Sequence, residues 1–195
     1  MTHATLTIIR DEHHALAAML RSLSMLLAEH RRRGSAPDFS VLRAMLLYVD
    51  EFPEKLHHKK ESELLFPALR ARSAEAAEVL EQLDRDHAQG ERAIRDLEHD
   101  LLAYEVLGGD RGVAFERSVN RYVDFYLAHM ALEEQRILPL AREVLTAQDW
   151  AELDAAFTKN RDPLTGFEAS DDYQPLFHRI VMTTPAPIGL GPAIA

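Results

Sequence analysis

The chain has 195 residues, 47% of them hydrophobic, which is enough for one domain with a real core. It has no cysteine, which excludes disulfides, thiolate zinc sites, iron–sulfur clusters and thiol nucleophiles and fits a reducing compartment. A net charge of -10 argues against nucleic acid as a partner. No apolar run approaches a membrane span and no signal-peptide order opens the chain, so a soluble, cytoplasmic protein is expected.

Four long stretches carry helical periodicity. The first runs from about Thr5 to Arg33, with Leu6, Ile9, His13, Leu16, Leu20, Leu23 and Leu27 stepping by three and four along one face. Its basic end, His30 to Arg33 before Gly34, reads as cations on a helix C-terminus followed by a left-handed stop. The second stretch begins at Asp38, a candidate cap, and runs to about Arg72. The third follows Ser73, with Leu80, Leu83, His87, Gly90, Ile94, Leu97 and Leu101 on its seam. The fourth follows Gly108-Gly109-Asp110 and reaches about Leu145, with Phe115, Val119, Tyr122, Tyr126, His129, Glu133 and Ile137 inward. Pro53, Pro67 and Pro139 predict local kinks or early terminations.

A short fifth helix is expected at about Ala147 to Lys159, around Trp150, Leu153 and Phe157. From Thr183 to Ala195 the prolines and glycines predict an extended tail, whose Ile188 and Leu190 could dock on the bundle or on a partner subunit. Short loops between long amphipathic helices imply an all-α fold, an up-down-up-down four-helix bundle with a short fifth helix and an extended C-terminal tail. The bundle is assigned to residues 1–146 and the C-terminal helix and Pro/Gly-containing extension to 147–195. A homodimer is left open.

Two His-x-x-x-Glu steps carry the chemistry: His57 with Glu61, and His129 with Glu133. Residues four apart share a helix face, so each step aims an imidazole and a carboxylate at one point. That donor pair suits iron, zinc or manganese. In an antiparallel bundle, residues equally far from a connecting loop sit at one height. His13 and His57 flank the first loop almost evenly, His57 and His87 the second, and His87 and His129 the third. At about 1.5 Å per residue a one-residue mismatch is negligible, so the four imidazoles form one layer, with Glu61 and Glu133 a turn away and able to bridge two ions.

A lone inward histidine is more often a hydrogen-bonded core residue than a ligand. Four in one layer with two carboxylates are different, because unpaired buried carboxylates cost several kcal/mol and a metal removes that cost. His58 and Glu54 continue the stripe of His57 and Glu61, as an extra nitrogen and as an extra carboxylate or orienting partner. Glu91, a turn beyond His87, is a further candidate. His14 reads as an outer or surface residue, Glu134 as solvated, and His3, His30, His99 and His178 as outside the site.

The chain resembles the hemerythrin-like (HHE cation-binding) domains over about Thr5 to Leu145. The matching pieces are Asp11-Glu12-His13, His57-His58-Lys59-Lys60-Glu61 leading into Pro67, Asp86-His87, and His129 to Glu134 leading into Pro139. The resemblance implies a non-haem di-iron centre, two iron ions rather than zinc or manganese, with Glu61 and Glu133 bridging and His13, His57, His87 and His129 as terminal ligands. The oxygen carriers of this family use five histidines, two of them on the third helix, where this chain has only His87. The fourth helix also carries Glu at i+4, where the carriers have Asp at i+5. The pattern is closer to relatives linked to iron sensing and to nitric oxide or iron–sulfur repair, although the chain lacks the cysteine-bearing N-terminal domain of the repair branch. The nearest rival, the ferritin-like di-iron fold, needs lone glutamates on two helices; this chain has His13 and the His129/Glu133 pair there instead.

The leading expectation is therefore a di-iron protein that meets a small diatomic ligand, oxygen or nitric oxide, in sensing, storage or scavenging. A redox enzyme on the same metals (peroxidase-, oxidase- or nitric oxide reductase-like, or in iron–sulfur repair) and a structural zinc bundle are the alternatives. Tyr122 and Tyr126 would either hydrogen-bond a bound ligand or fill the core, and Gly90 would either open a pocket or permit close contact.

Overall fold

Gly34, at φ 65°, stops α1 (Ala4–Arg33), and Asp38 starts the next helix by accepting from the Ser40 and Val41 amides. A computed structural model describes residues 3–183. Helix α2 (39–72) runs as Phe39–Val49 and Phe66–Arg72 with wide, π-type turns at Asp50–His57 and Glu61–Leu65 between them. Helix α3 (Ala77–Leu107) follows a short 3-10 turn and ends at Gly108. Helix α4 (111–144) carries a third wide turn at Glu133–Ile137. The four are antiparallel neighbours, α1 against α2 and α4, and α3 against α2 and α4. Every residue assigned to the three complete seams from the sequence is buried.

The prolines do not terminate the helices. An α-helical proline clashes with the carbonyl four residues back and lacks the N–H to bond it. Pro67 and Pro139 instead sit just after the wide turns that open at Glu61 and Glu133, and Pro53 lies inside the first. Widening a turn by one residue moves the offending carbonyl away, so the helix continues.

The core is in two parts. One hydrophobic cluster gathers Leu16 to Leu27 of α1, Val41 to Phe52 of α2, Ile94 to Leu101 of α3 and Phe115 to Met130 of α4. The other gathers Leu6, Ile8 and Ile9, Leu65 to Leu69, Leu80 and Leu83, and Ile137 to Leu145. Between them lies the layer that holds the histidines.

The C-terminal segment docks on both clusters. A capping box of Thr146 and Asp149 opens α5 (Ala147–Phe157), which buries Trp150, Leu153 and Phe157 in the second cluster. The Thr5 amide and hydroxyl both donate to Asp154 there. A sixth helix, α6 (Gln174–Thr183), was not foreseeable from periodicity; its Phe177 and Ile180 join the first cluster, with the Phe177 ring against Tyr48 and Phe52. Ile188, Leu190 and the rest of the expected tail beyond Thr183 lie outside the described residues. Among the described residues no helix is long and apolar enough to cross a membrane.

Candidate metal centre

Five imidazoles and two carboxylates converge in the layer between the two clusters, and they divide into halves. In one, His57 Nε2 lies 3.2 Å from Glu61 Oε1, His13 Nε2 lies 3.2 Å from Glu133 Oε2, and the two imidazole nitrogens are 3.2 Å apart. In the other, His87 Nε2 and His129 Nε2 are 3.1 Å apart. Glu61 Oε2 is 3.5 Å from His87 Nε2, and Glu133 Oε1 is 3.5 Å from His129 Nε2. His58 stacks on His87 with ring centres 4.3 Å apart, and one ligand atom of each of His58, His87 and His129 lies within 4.8 Å of the others. Each glutamate thus offers one oxygen to each half. Glu61 and Glu133 are each only 1% exposed, and none of their four carboxylate oxygens has a hydrogen-bond partner. Buried acceptors are rarely left so, and cations placed in the two halves would satisfy all four.

Behind this cluster, the other ring nitrogen of every histidine is held. His57 Nδ1–H donates to Glu12 Oε2 at 2.7 Å, His13 Nδ1–H to Glu134 Oε1 at 3.0 Å and His58 Nδ1–H to Glu54 Oε2 at 3.1 Å. The Ser62 hydroxyl meets His87 Nδ1 at 2.8 Å, and Asp86 Oδ2 stands 3.5 Å from His129 Nδ1. Where the partner is a carboxylate it accepts the Nδ1 proton, so in the neutral imidazole the Nε2 lone pair faces the cluster; the Ser62 hydroxyl can donate or accept and fixes no tautomer at His87. Glu54 is itself anchored by the hydroxyls of Tyr122 and Tyr126, which both donate to its Oε1, at 2.6 and 2.5 Å. Gly90 makes that possible: a Cβ there would stand 1.6 Å from the Tyr126 hydroxyl.

The Hemerythrin HHE cation binding domain matches residues 4–141. The chain belongs to this family. No curated protein matches the sequence.

Within this HHE domain the structure brings together His13, His57, Glu61, His87, His129 and Glu133, and adds His58. A fifth imidazole, His58, which the sequence offers as an extra nitrogen, lies in the layer on α2 beside His57 rather than on the third helix. Glu54 is the orienting partner of His58 and directs no free oxygen at the cluster. Glu91 is not in the cluster; it is half exposed and pairs with Arg95, a cheaper place for a charge than a buried layer already holding two carboxylates. Glu134, expected in solvent, holds His13, while His14 and His178 are exposed. Glu12 and Ser62 were not singled out; each adjoins a cluster residue in sequence but holds a histidine on a neighbouring helix, which spacing along one helix does not reveal.

The electrostatics of the metal-free layer are uneven. Burial alone would lower the pKa of His57, but Glu61 and Glu12 outweigh it and hold the imidazole well above its ordinary value. His13 is raised in the same way, against burial, by Glu133 and Glu134, and His129 by Glu133 and Asp86. Burial and the neighbouring imidazoles push His58 well down, and His87 down to about 2. Burial would raise Glu61, yet the charge on His57 and the other imidazoles pulls it below the usual carboxylate range.

Proposed function

We propose that this chain is a di-iron protein that takes up a small diatomic ligand, oxygen or nitric oxide, in sensing, storage or scavenging. The observation that carries the reading is the set of four buried carboxylate oxygens without partners, each turned toward an imidazole nitrogen. Glu61 and Glu133 would bridge the ions, with His13 and His57 on one and His58, His87 and His129 on the other. Imidazole and carboxylate together suit iron, which when bound supplies electrons to and from a diatomic ligand.

The chain's own residues account for where that ligand goes. The two-histidine half has one imidazole fewer than its neighbour and so leaves more room around its ion. A cavity of about 10 Å³ lies directly against His13 and His57, between Leu16, Leu56 and Phe52. That is about the space for one water, which suits a diatomic molecule and is too small for an organic substrate. The three-histidine half is walled by the rings of Phe66 against His87 and Tyr126 against His58. With Tyr122 and Tyr126 committed to Glu54, the phenols hold a ligand's support in place and do not face the cavity.

Metal analysis of protein purified after iron-replete expression should find two iron ions per chain, with optical bands that change when nitric oxide or oxygen is added. Stoichiometric zinc without iron would sink the reading in favour of a structural bundle. Sustained consumption of supplied peroxide or nitric oxide would move it to a redox enzyme.

A further inference from the structure

Two hollows on one face of the molecule share a wall. The inner one is the water-sized cavity against His13 and His57. The outer one is an open cleft of about 650 Å³, lined by Arg161, Pro163, Glu168, Ala169 and Tyr173 among others. Phe52, Leu56 and Asn160 line both. These three residues therefore stand between the outer cleft and the inner cavity. Most of the cleft is contributed by residues 160–173, which lie beyond the family match ending at residue 141.

That segment is fastened at both ends of the partition. Lys60 donates from Nζ to the carbonyls of Lys159 and Asn160, at 2.8 and 3.2 Å. Asn160 takes a left-handed φ of 48°, a conformation asparagine tolerates better than most residues. Two residues on, the Asp162 amide donates to Glu12 Oε1 at 3.1 Å, and the Asp162 carboxylate accepts from the Tyr48 hydroxyl and the Leu164 amide. Asp162 thus ties the segment to the carboxylate that orients His57, deep in the bundle. Lys60, half exposed, ties it only to two carbonyls at the surface. The Lys60 contact is the one that can open without breaking buried structure.

Charges of both signs line this path. Arg161 is stacked on Phe167 with its guanidinium carbon 3.6 Å from the ring centre, and it faces Asp11 at 3.7 Å. Arg161, Glu168 and Asp171 line the outer cleft, and Lys60, Glu12 and Asp162 the inner cavity.

We propose that the C-terminal segment 158–173 builds a gated access route to the two-histidine half, with Leu56 and Asn160 as the gate, Lys60 as its latch, and small diatomic molecules as the species admitted. This rests on the proposed function for what happens at the end of the route, while the route itself can be tested without metal. In metal-free protein, dissolved oxygen relaxes the NMR signals of methyl groups it reaches. The methyls of Leu16, which line the inner cavity, should be relaxed several-fold more than those of Leu20, which is buried just as deeply in the closed core. Leu56→Trp should remove the excess and Lys60→Met should increase it, with the Leu20 signals unchanged as the check on folding. Equal relaxation of Leu16 and Leu20, or no response to either substitution, overturns the route.

On iron-loaded protein, Leu56→Trp should slow association of nitric oxide by roughly tenfold, as expected where a conformational step limits binding, and leave the iron content unchanged. Loaded protein whose nitric oxide rate ignores both substitutions overturns the gate. Protein that holds no iron but shows the Leu16 excess upholds the route and defeats the di-iron reading instead.

Discussion

The two halves of the candidate centre share both glutamates and differ in almost everything else. The two-histidine half lies against a small cavity, and its imidazoles carry raised pKa values because each is pressed between carboxylates. The three-histidine half is packed between aromatic rings, and two of its imidazoles are held neutral by burial and by one another. The contrast teaches that a nearly symmetric pair of His-x-x-x-Glu steps need not build a symmetric site. What surrounds each step decides which half is packed between rings and which borders a cavity.

The comparison can be broken most directly at a shared carboxylate. Glu133→Ala should empty both halves, taking iron from two ions per chain to less than one by metal analysis. Loss of only one ion would show that the halves are independent. The unfolding midpoint should fall with it by about 10 °C, since a ligand at a thousand times its dissociation constant contributes about 4 kcal/mol and a chain of this size shifts by roughly 2–4 °C per kcal/mol. Chelation of the wild-type protein should reproduce that shift in calorimetry.

Next in size, His58→Leu should remove the ion of the three-histidine half alone and leave one iron per chain, whereas a merely stacked His58 would leave two. Smaller again, Glu12→Gln should weaken the ion at the two-histidine half by about 10- to 100-fold, the usual effect of losing an outer hydrogen-bond partner, and competition with a chelator would read it. An unchanged affinity would mean that His57 is positioned by packing.

The mildest test is pH. Binding at the two-histidine half must displace a proton from His13 and from His57, both raised, but at the other half only from His129. Affinity should therefore fall more steeply at the two-histidine half as pH drops from about 8 to about 6, and equal slopes in chelator competition would erase the distinction. In the metal-free protein the signs oppose one another. The raised His57 adds stability that is complete below the unfolded value near 6.5 and is lost as pH rises through its folded value. His58 and His87, lowered, do the reverse: they withdraw stability as pH falls below about 6.5, because only the unfolded chain takes up their protons.

Most of the bundle was legible, because three- and four-residue steps report which face of a helix is buried regardless of what it packs against. The same periodicity, with counting from the loops, placed His13, His57, His87 and His129 in one layer, which the structure brings together. It was less decisive, offering candidates without ranking them, where geometry departs from the regular helix or where two side chains compete. His58 follows His57 directly, and in a regular α-helix neighbours point about 100° apart. In the wide turn that ends at His57 neighbours are closer in angle, and both imidazoles turn inward. Glu91 is on the flank of its seam, where solvent and Arg95 win over the layer, and spacing does not rank those environments. Helix α6 is short and depends on the bundle for its apolar face, so Phe177 and Ile180 announce little on their own.

The dispersal of the site over the chain also sets an order of events during synthesis. One half draws on α1, α2 and α4, the other on α2, α3 and α4, and both need Glu133. A nascent chain that ends before residue 133 contains neither half, however well its first three helices have formed. The complete donor set exists only once α4 has joined the bundle, between two clusters of apolar side chains. On the proposed di-iron reading, filling both halves would therefore follow synthesis of residue 133.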